Sequence, residues 1–263
     1  MKHLLKLLDL SKDEIIDILN LADQLKYELA HGIEHRLLAG KTLGMIFQKA
    51  STRTRVSFET GIYQLGGYGL FLSSHDLQIG RGEPVEDTAR VLSRYLNGIM
   101  IRTFDQEEVE TLARVGGIPV INGLTDFCHP CQVLADLMTV REHKGSLEGL
   151  KMAYIGDGNN MANSLIVGCL KVGMAVSVAC PAAYRPDQQV LDFAKEYGGK
   201  FTLTEDCRTA AEDADVLFTD VWASMGQEGE AEKRRLAFAG YQINAGLPSA
   251  ARPDCMGQHC LPA

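Results

Sequence analysis

Residues 49–55, Lys-Ala-Ser-Thr-Arg-Thr-Arg, bring three hydroxyls and two guanidinium groups into one short stretch. Such a stretch at a helix start would join side-chain donors to unpaired backbone N–H groups, a combination that suits an anion such as phosphate. Ser51 and Thr52 are also ordinary N-cap residues, so a simple helix cap accounts for the hydroxyls equally well. Arg102, His129 and Gln132 add a further cation, an imidazole and an amide. In Asp157-Gly158-Asn159-Asn160 the amides offer both donors and acceptors. Asp220, in the stretch 220–226 (Asp-Val-Trp-Ala-Ser-Met-Gly), is a carboxylate suited to an amino group. Cys260, in His259-Cys260-Leu261-Pro262, is a thiol beside a polar neighbour.

Two of these segments carry other readings. Residues 156–162, Gly-Asp-Gly-Asn-Asn-Met-Ala, approach the dinucleotide fingerprint but place Met161 where its last small residue belongs. No acidic residue closes the following strand, which ends Ala179-Cys180-Pro181. Cys128-His129-Pro130-Cys131 has redox or zinc spacing, yet zinc would need two further ligands from Cys255, His259 and Cys260. Neither a metal nor an organic cofactor is expected.

The elements that must position these groups follow from periodicity. Ser11-Lys12-Asp13-Glu14 is a capping box opening an amphipathic helix that ends near Gly32. Apolar runs predict strands at 42–47, 68–72, 99–102, 118–121, 152–155, 175–179, 200–203 and 216–219. Helical spacing predicts helices at 51–65, 85–96, 106–115, 129–143, 161–172, 188–197 and 207–214. Alternation of this kind predicts an α/β fold of two doubly wound domains, each with a central, mostly parallel sheet flanked by helices. The hinge-like stretch 144–149 divides them into residues 1–146 and 147–263. Ligands in such sheets bind beyond the carboxyl ends of strands, which is where the segments above fall.

Composition narrows the partners. The net charge of −8 argues against nucleic acid and anionic membrane surfaces. The charged start, Met1-Lys2-His3, does not read as a signal peptide, and no apolar run reaches membrane-spanning length. Seven scattered cysteines predict reduced thiols in a cytoplasmic protein.

Taken together, Ser51-Thr52-Arg53-Thr54-Arg55, His129-Pro130-Cys131-Gln132, Asp220 with Ser224-Met225-Gly226, and His259-Cys260-Leu261-Pro262 resemble the aspartate/ornithine carbamoyltransferase family, on its ornithine side. The resemblance implies a carbamoyl-phosphate-binding domain followed by a Rossmann-like ornithine-binding domain. It implies transfer of the carbamoyl group to the δ-amine of L-ornithine, giving L-citrulline and phosphate in arginine biosynthesis. On matching positions, Ser51, Thr52, Arg53 and Thr54 hold phosphate. Arg102 and His129 contact the phosphate and carbonyl region, and Gln132 contacts the carbamoyl amide. Gln78 reaches the phosphate of a neighbouring subunit in a homotrimer with shared sites. Asn160, Asp220, Ser224 and Met225 hold the amino-acid end of ornithine, while Cys260 and Leu261 lie at the reacting carbonyl. Arg53, Arg102, His129 and Cys260 are the implied catalytic groups.

Family members continue past His-Cys-Leu-Pro into an arginine and a long helix, whereas this sequence ends at Ala263. A C-terminally truncated member with weak or no turnover is therefore expected. Two alternatives keep the donor site: a carbamoyl-phosphate-binding protein without turnover, and a carbamoyltransferase for another amine such as putrescine.

Overall fold

Strand and helix alternate through the computed structural model, which describes residues 2–223 and 228–261. α1 (Lys12–Ala30) opens on the expected capping box: Glu14 N–H donates to Ser11 Oγ, and Ser11 N–H donates to the Glu14 carboxylate. There follow β1 (Thr42–Phe47), α2 (Thr52–Gln64), β2 (Tyr68–Ser73), α3 (Val85–Leu92), β3 (Gly98–Arg102), α4 (Gln106–Gly116), β4 (Val120–Leu124) and α5 (Pro130–Lys144). The pattern then restarts with β5 (Lys151–Ile155), α6 (Asn160–Lys171), β6 (Ala175–Ala179), α7 (Gln188–Lys195), β7 (Phe201–Thr204), α8 (Cys207–Ala211) and β8 (Val216–Thr219). α9 (Ala231–Ala237) and β9 (Met256–His259) complete it.

The chain divides into two compact units. One takes the chain up to Asp9 together with Asp17–Cys131; the other takes Leu10–Ile16 and the described chain from Gln132 onward. The first holds a four-stranded sheet in the order β2-β1-β3-β4, the second a five-stranded sheet in the order β7-β6-β5-β8-β9. Every pairing is parallel. Parallel strands are covered on both faces, and their side chains alternate accordingly. Ile46, Ile99, Ile101 and Val120 join Val109 and Leu112 of α4 on one side of the first sheet. Met45, Phe47 and Met100 pack together on the other.

Each sheet has one place where chain order reverses, and that is where a crevice opens at strand carboxyl ends. In the first unit it lies between β1 and β3, whose last residues Phe47 and Arg102 are in register. In the second it lies between β5 and β8, with Ile155 opposite Thr219.

Some elements depart from the periodicity reading, and α9 has no counterpart in it. β4 starts at Val120, after Pro119, and runs on through Asn122 and Gly123, whose types hide a strand. Asn122 is fully buried and its amide donates to Leu5 O. α3 stops at Leu92 and α8 at Ala211, the latter just before Asp213 adopts a left-handed φ of 54°. A helix cannot continue through that conformation.

Candidate active site

In the first unit, Ser51 is extended (φ −161°) and its Oγ accepts from Thr54 N–H at 3.2 Å, which makes it the N-cap of α2. The first-turn N–H groups of Thr52 and Arg53 have no acceptor within the helix. Arg102 ends β3 one strand away, 5% exposed, with its guanidinium 3.5 Å from Thr54 Oγ1. The register of β1 against β3 thus brings a buried cation to the same helix start as the exposed Arg53. Arg55 faces elsewhere: its guanidinium stacks 3.7 Å over Phe71 and pairs with Glu59. Lys49 is buried against the Phe104 ring and paired with Asp126. Gln78 is exposed on a 3-10 turn, Gln78–Arg81.

His129 stands just before α5. Desolvation and then the charge of Arg102 push its pKa down to about 3, so the imidazole is neutral at working pH and can accept or donate one hydrogen bond. Its neighbours explain the cysteine spacing. Cys128 Sγ donates to Leu5 O and Cys131 Sγ to Asn122 O, and burial pushes both thiols up to about 12. They are packed thiols rather than a reactive pair. All seven cysteines are free, and among the described residues no group of three or more His, Cys, Asp or Glu could hold a metal.

The depressed pKa of His129 has a consequence for stability. The folded ring resists protonation while the unfolded ring titrates normally, so this stabilisation is complete above about pH 6.5 and drains as pH falls toward about 3. The wild-type protein is expected to lose roughly 1–2 kcal/mol more than His129→Gln between about pH 7 and pH 5. Urea unfolding at the two pH values measures it; equal losses would contradict the neutral, desolvated ring.

The second unit arms its own switch point. Gly158 presses against backbone: a Cβ there would lie 2.3 Å from Arg185 C, so the loop after β5 demands glycine for close packing. That requirement accounts for the fingerprint-like glycines without a nucleotide. Asn159 caps α6, its Oδ1 accepting from Met161 and Ala162 N–H, and its Nδ2 donates to Asp220 Oδ2 at 2.9 Å. Asp220, 8% exposed at the end of β8, also accepts from Val221 N–H. Burial raises its pKa, and the hydrogen bonds from Asn159 and Val221 work against that rise. Among the described residues it makes no ion pair. Asn160 stands at the first turn of α6, half-buried. Cys260 N–H donates to Thr219 O at the end of the neighbouring strand, and Leu261 is 58% exposed. Gln132 donates to Asp136 one turn along α5 at 2.9 Å, and burial pushes Asp136 up to about 7. Ser224 and Met225 lie outside the described residues.

Residues 2–142 match the aspartate/ornithine carbamoyltransferase carbamoyl-P binding domain, and residues 148–263 match the Asp/Orn binding domain of the same family. The chain belongs to the aspartate/ornithine carbamoyltransferase family. Among carbamoyltransferases it is 57% identical to the ornithine carbamoyltransferase of Oceanobacillus iheyensis, over all of this chain and 83% of that one. It is 54% identical to that of Thermococcus kodakarensis, covering 84% of it. The solved ornithine carbamoyltransferase of Pyrococcus furiosus superposes with a TM-score of 0.95 at 53% identity, covering all of this chain and 85% of that one.

Some groups at the two switch points of this carbamoyltransferase have no local sequence signature. Asn159 reaches Asp220 from the cap position of α6, which faces the strand end. Arg234 buries itself on Asp157 at 2.7 Å across 77 positions of sequence. Only the run of unlike charges in 230–235 hinted at a partner, and it reads as a solvated helix face.

Proposed function

We propose that the protein is an ornithine carbamoyltransferase, joining carbamoyl phosphate and L-ornithine to give L-citrulline and phosphate. The observation that carries the acceptor is Asp220: a buried carboxylate, hydrogen-bonded to an amide and a backbone N–H yet making no ion pair among the described residues. An α-ammonium group supplies the cation of such a pair, whereas an acylated amine or a second carboxylate does not. The full-length relatives at 53–57% identity, all ornithine carbamoyltransferases, support the same acceptor.

In this reading Ser51, Thr52, Arg53, Thr54 and Arg102 hold the phosphate, and neutral His129 bonds the carbamoyl carbonyl region. Gln132 takes the carbamoyl amide. Asn160, Asp220, Ser224 and Met225 orient ornithine, with Cys260 and the Leu261 backbone at the reacting carbonyl. The δ-nitrogen attacks the carbamoyl carbon and the bond from that carbon to the phosphate oxygen breaks. The proton lost by the amine leaves with phosphate. Negative charge grows on the carbonyl oxygen and then on the leaving group, where preorganised donors stabilise it. No group beyond the two substrates enters this balance.

The working protein is read as a cytoplasmic homotrimer serving arginine biosynthesis, with Gln78 completing the phosphate site of a neighbouring subunit. Among the described residues no helix is long and apolar enough to cross a membrane. The division between carbamoyl-phosphate and ornithine domains is placed at 146/147, in the stretch that neither family match covers.

Calorimetry with carbamoyl phosphate and a citrulline assay with competing amines test the reading together. Binding of carbamoyl phosphate, with product from ornithine in preference to putrescine or N-acetylornithine, is the expected result. Binding without product from any amine would favour a binding protein instead. A preference for putrescine would remove the role given to Asp220.

A further inference from the structure

The contacts at the second switch point close into a ring. Arg234 Nη1 donates to Asp157 Oδ2 at 2.7 Å and to Trp222 O at 3.0 Å. Two residues beyond Asp157, the Asn159 amide donates to Asp220; two residues beyond Asp220 stands Trp222, back at Arg234. The ring therefore spans the loop after β5, the loop after β8 and α9. Its walls are aromatic. The Arg234 guanidinium lies 4.9 Å from the centre of the Tyr184 ring, Trp222 stacks on Phe238, and Trp222 Nε1 donates to Tyr241 O. Arg234 is 7% exposed, while its neighbour Arg235 pairs with Glu232 at the surface.

The charges in the ring are unevenly shared. Asp157 and Asp220 are both buried carboxylates, and each feels the other or the same neighbours. Arg234, backed by Glu230, neutralises Asp157. Around Asp157 stand also Tyr154 and Cys180; around Asp220 stand Tyr154, Asp136 and His259. Arg234 and His259 are the basic groups in this set, and among the described residues only Arg234 makes an ion pair with either carboxylate. Without the cation on Asp157, two buried carboxylates that repel each other would take up a proton more readily.

We propose that Arg234 is a positioning and specificity-determining residue for the amine acceptor: by binding Asp157 and Trp222 O it fixes the loop residues that flank Asp220 and leaves Asp220, rather than Asp157, open to the acceptor's ammonium group. The inference rests on the acceptor reading above. Arg234 touches neither substrate in this scheme. It acts through Asp157, Asn159 and the backbone of residue 222.

Arg234→Gln is expected to raise the ornithine KM about 10- to 100-fold while carbamoyl phosphate affinity stays within about twofold, because only the acceptor half is disturbed. It is also expected to move the acidic limb of kcat/KM for ornithine to higher pH, since loss of the Arg234 charge makes the buried carboxylates of this ring easier to protonate. Removing the competing carboxylate as well, in the double variant Asp157→Asn with Arg234→Gln, should return that limb to its wild-type position. The double variant replaces a buried ion pair by a neutral amide pair, so it preserves the fold if the single variant does not. Calorimetry of L-norvaline, which has ornithine's amino-acid end and no δ-amine, with carbamoyl phosphate bound, reads the same loss without turnover. An Arg234→Gln protein with unchanged norvaline affinity and an unmoved acidic limb would overturn the proposal. Equal loss of carbamoyl phosphate affinity would overturn it too. Wild-type protein that binds no norvaline would instead sink the acceptor reading itself.

Discussion

Replacing Arg102 by Met is expected to lower kcat/KM for carbamoyl phosphate about 1,000-fold, ~4 kcal/mol of transition-state stabilisation. The side chain ends β3 at the switch point, buried, with its guanidinium beside Thr54 Oγ1 at the start of α2. A cation held there in a low dielectric is worth far more to a departing phosphate than the exposed Arg53. Methionine keeps most of the volume and apolar contact, so stability should change little by comparison. The same substitution removes the positive charge that helps to hold His129 neutral, and the His129 pKa should rise. NMR titration of the imidazole alongside steady-state kinetics checks both effects. A variant within about tenfold of wild type would show that Arg102 is structural.

Asp220→Asn is expected to raise the ornithine KM about 100-fold, near 3 kcal/mol, and to leave carbamoyl phosphate binding unchanged. Asparagine can still accept from Val221 N–H, so the turn after β8 survives. What disappears is the negative charge proposed to hold the acceptor's ammonium. The pH dependence carries the sign: burial raises the Asp220 pKa, so wild-type ornithine affinity should fall on acidification at a higher pH than for an ordinary aspartate. The variant should lose that limb. Unchanged ornithine affinity would move the acceptor site away from the second switch point.

The first switch point was open to reading because its parts announce themselves locally. A buried apolar run, a Ser-Thr cap and an arginine at the end of the next strand each have a signature within a few residues. What the sequence could not show was which arginine turns inward, since Arg55 finds Phe71 and Glu59 and Lys49 finds Asp126 only after folding. The second switch point was half legible. Asp220 was visible as a carboxylate after a strand, but nothing local shows that the cap residue Asn159 supplies its amide partner. Arg234 was invisible because its partners, Asp157 and Trp222 O, meet it through tertiary packing alone. β4 was misplaced for a related reason: a buried asparagine and a glycine satisfied by tertiary contacts break the apolar pattern on which strand recognition rests.

No strand is shared between the two sheets, and each has its own order reversal. Inheritance can therefore act on them separately. Under the proposed function, substitutions around β5 and β8 would regrade which amine is accepted while the β1–β3 crevice keeps one unchanging donor. A family whose first domain is named for a single ligand and whose second is named for two is what such a partition of variability would leave behind. An engineer following the proposed function would diversify the residues around Asp220 while holding Gly158 fixed, and would leave residues 51–54 and 102 alone.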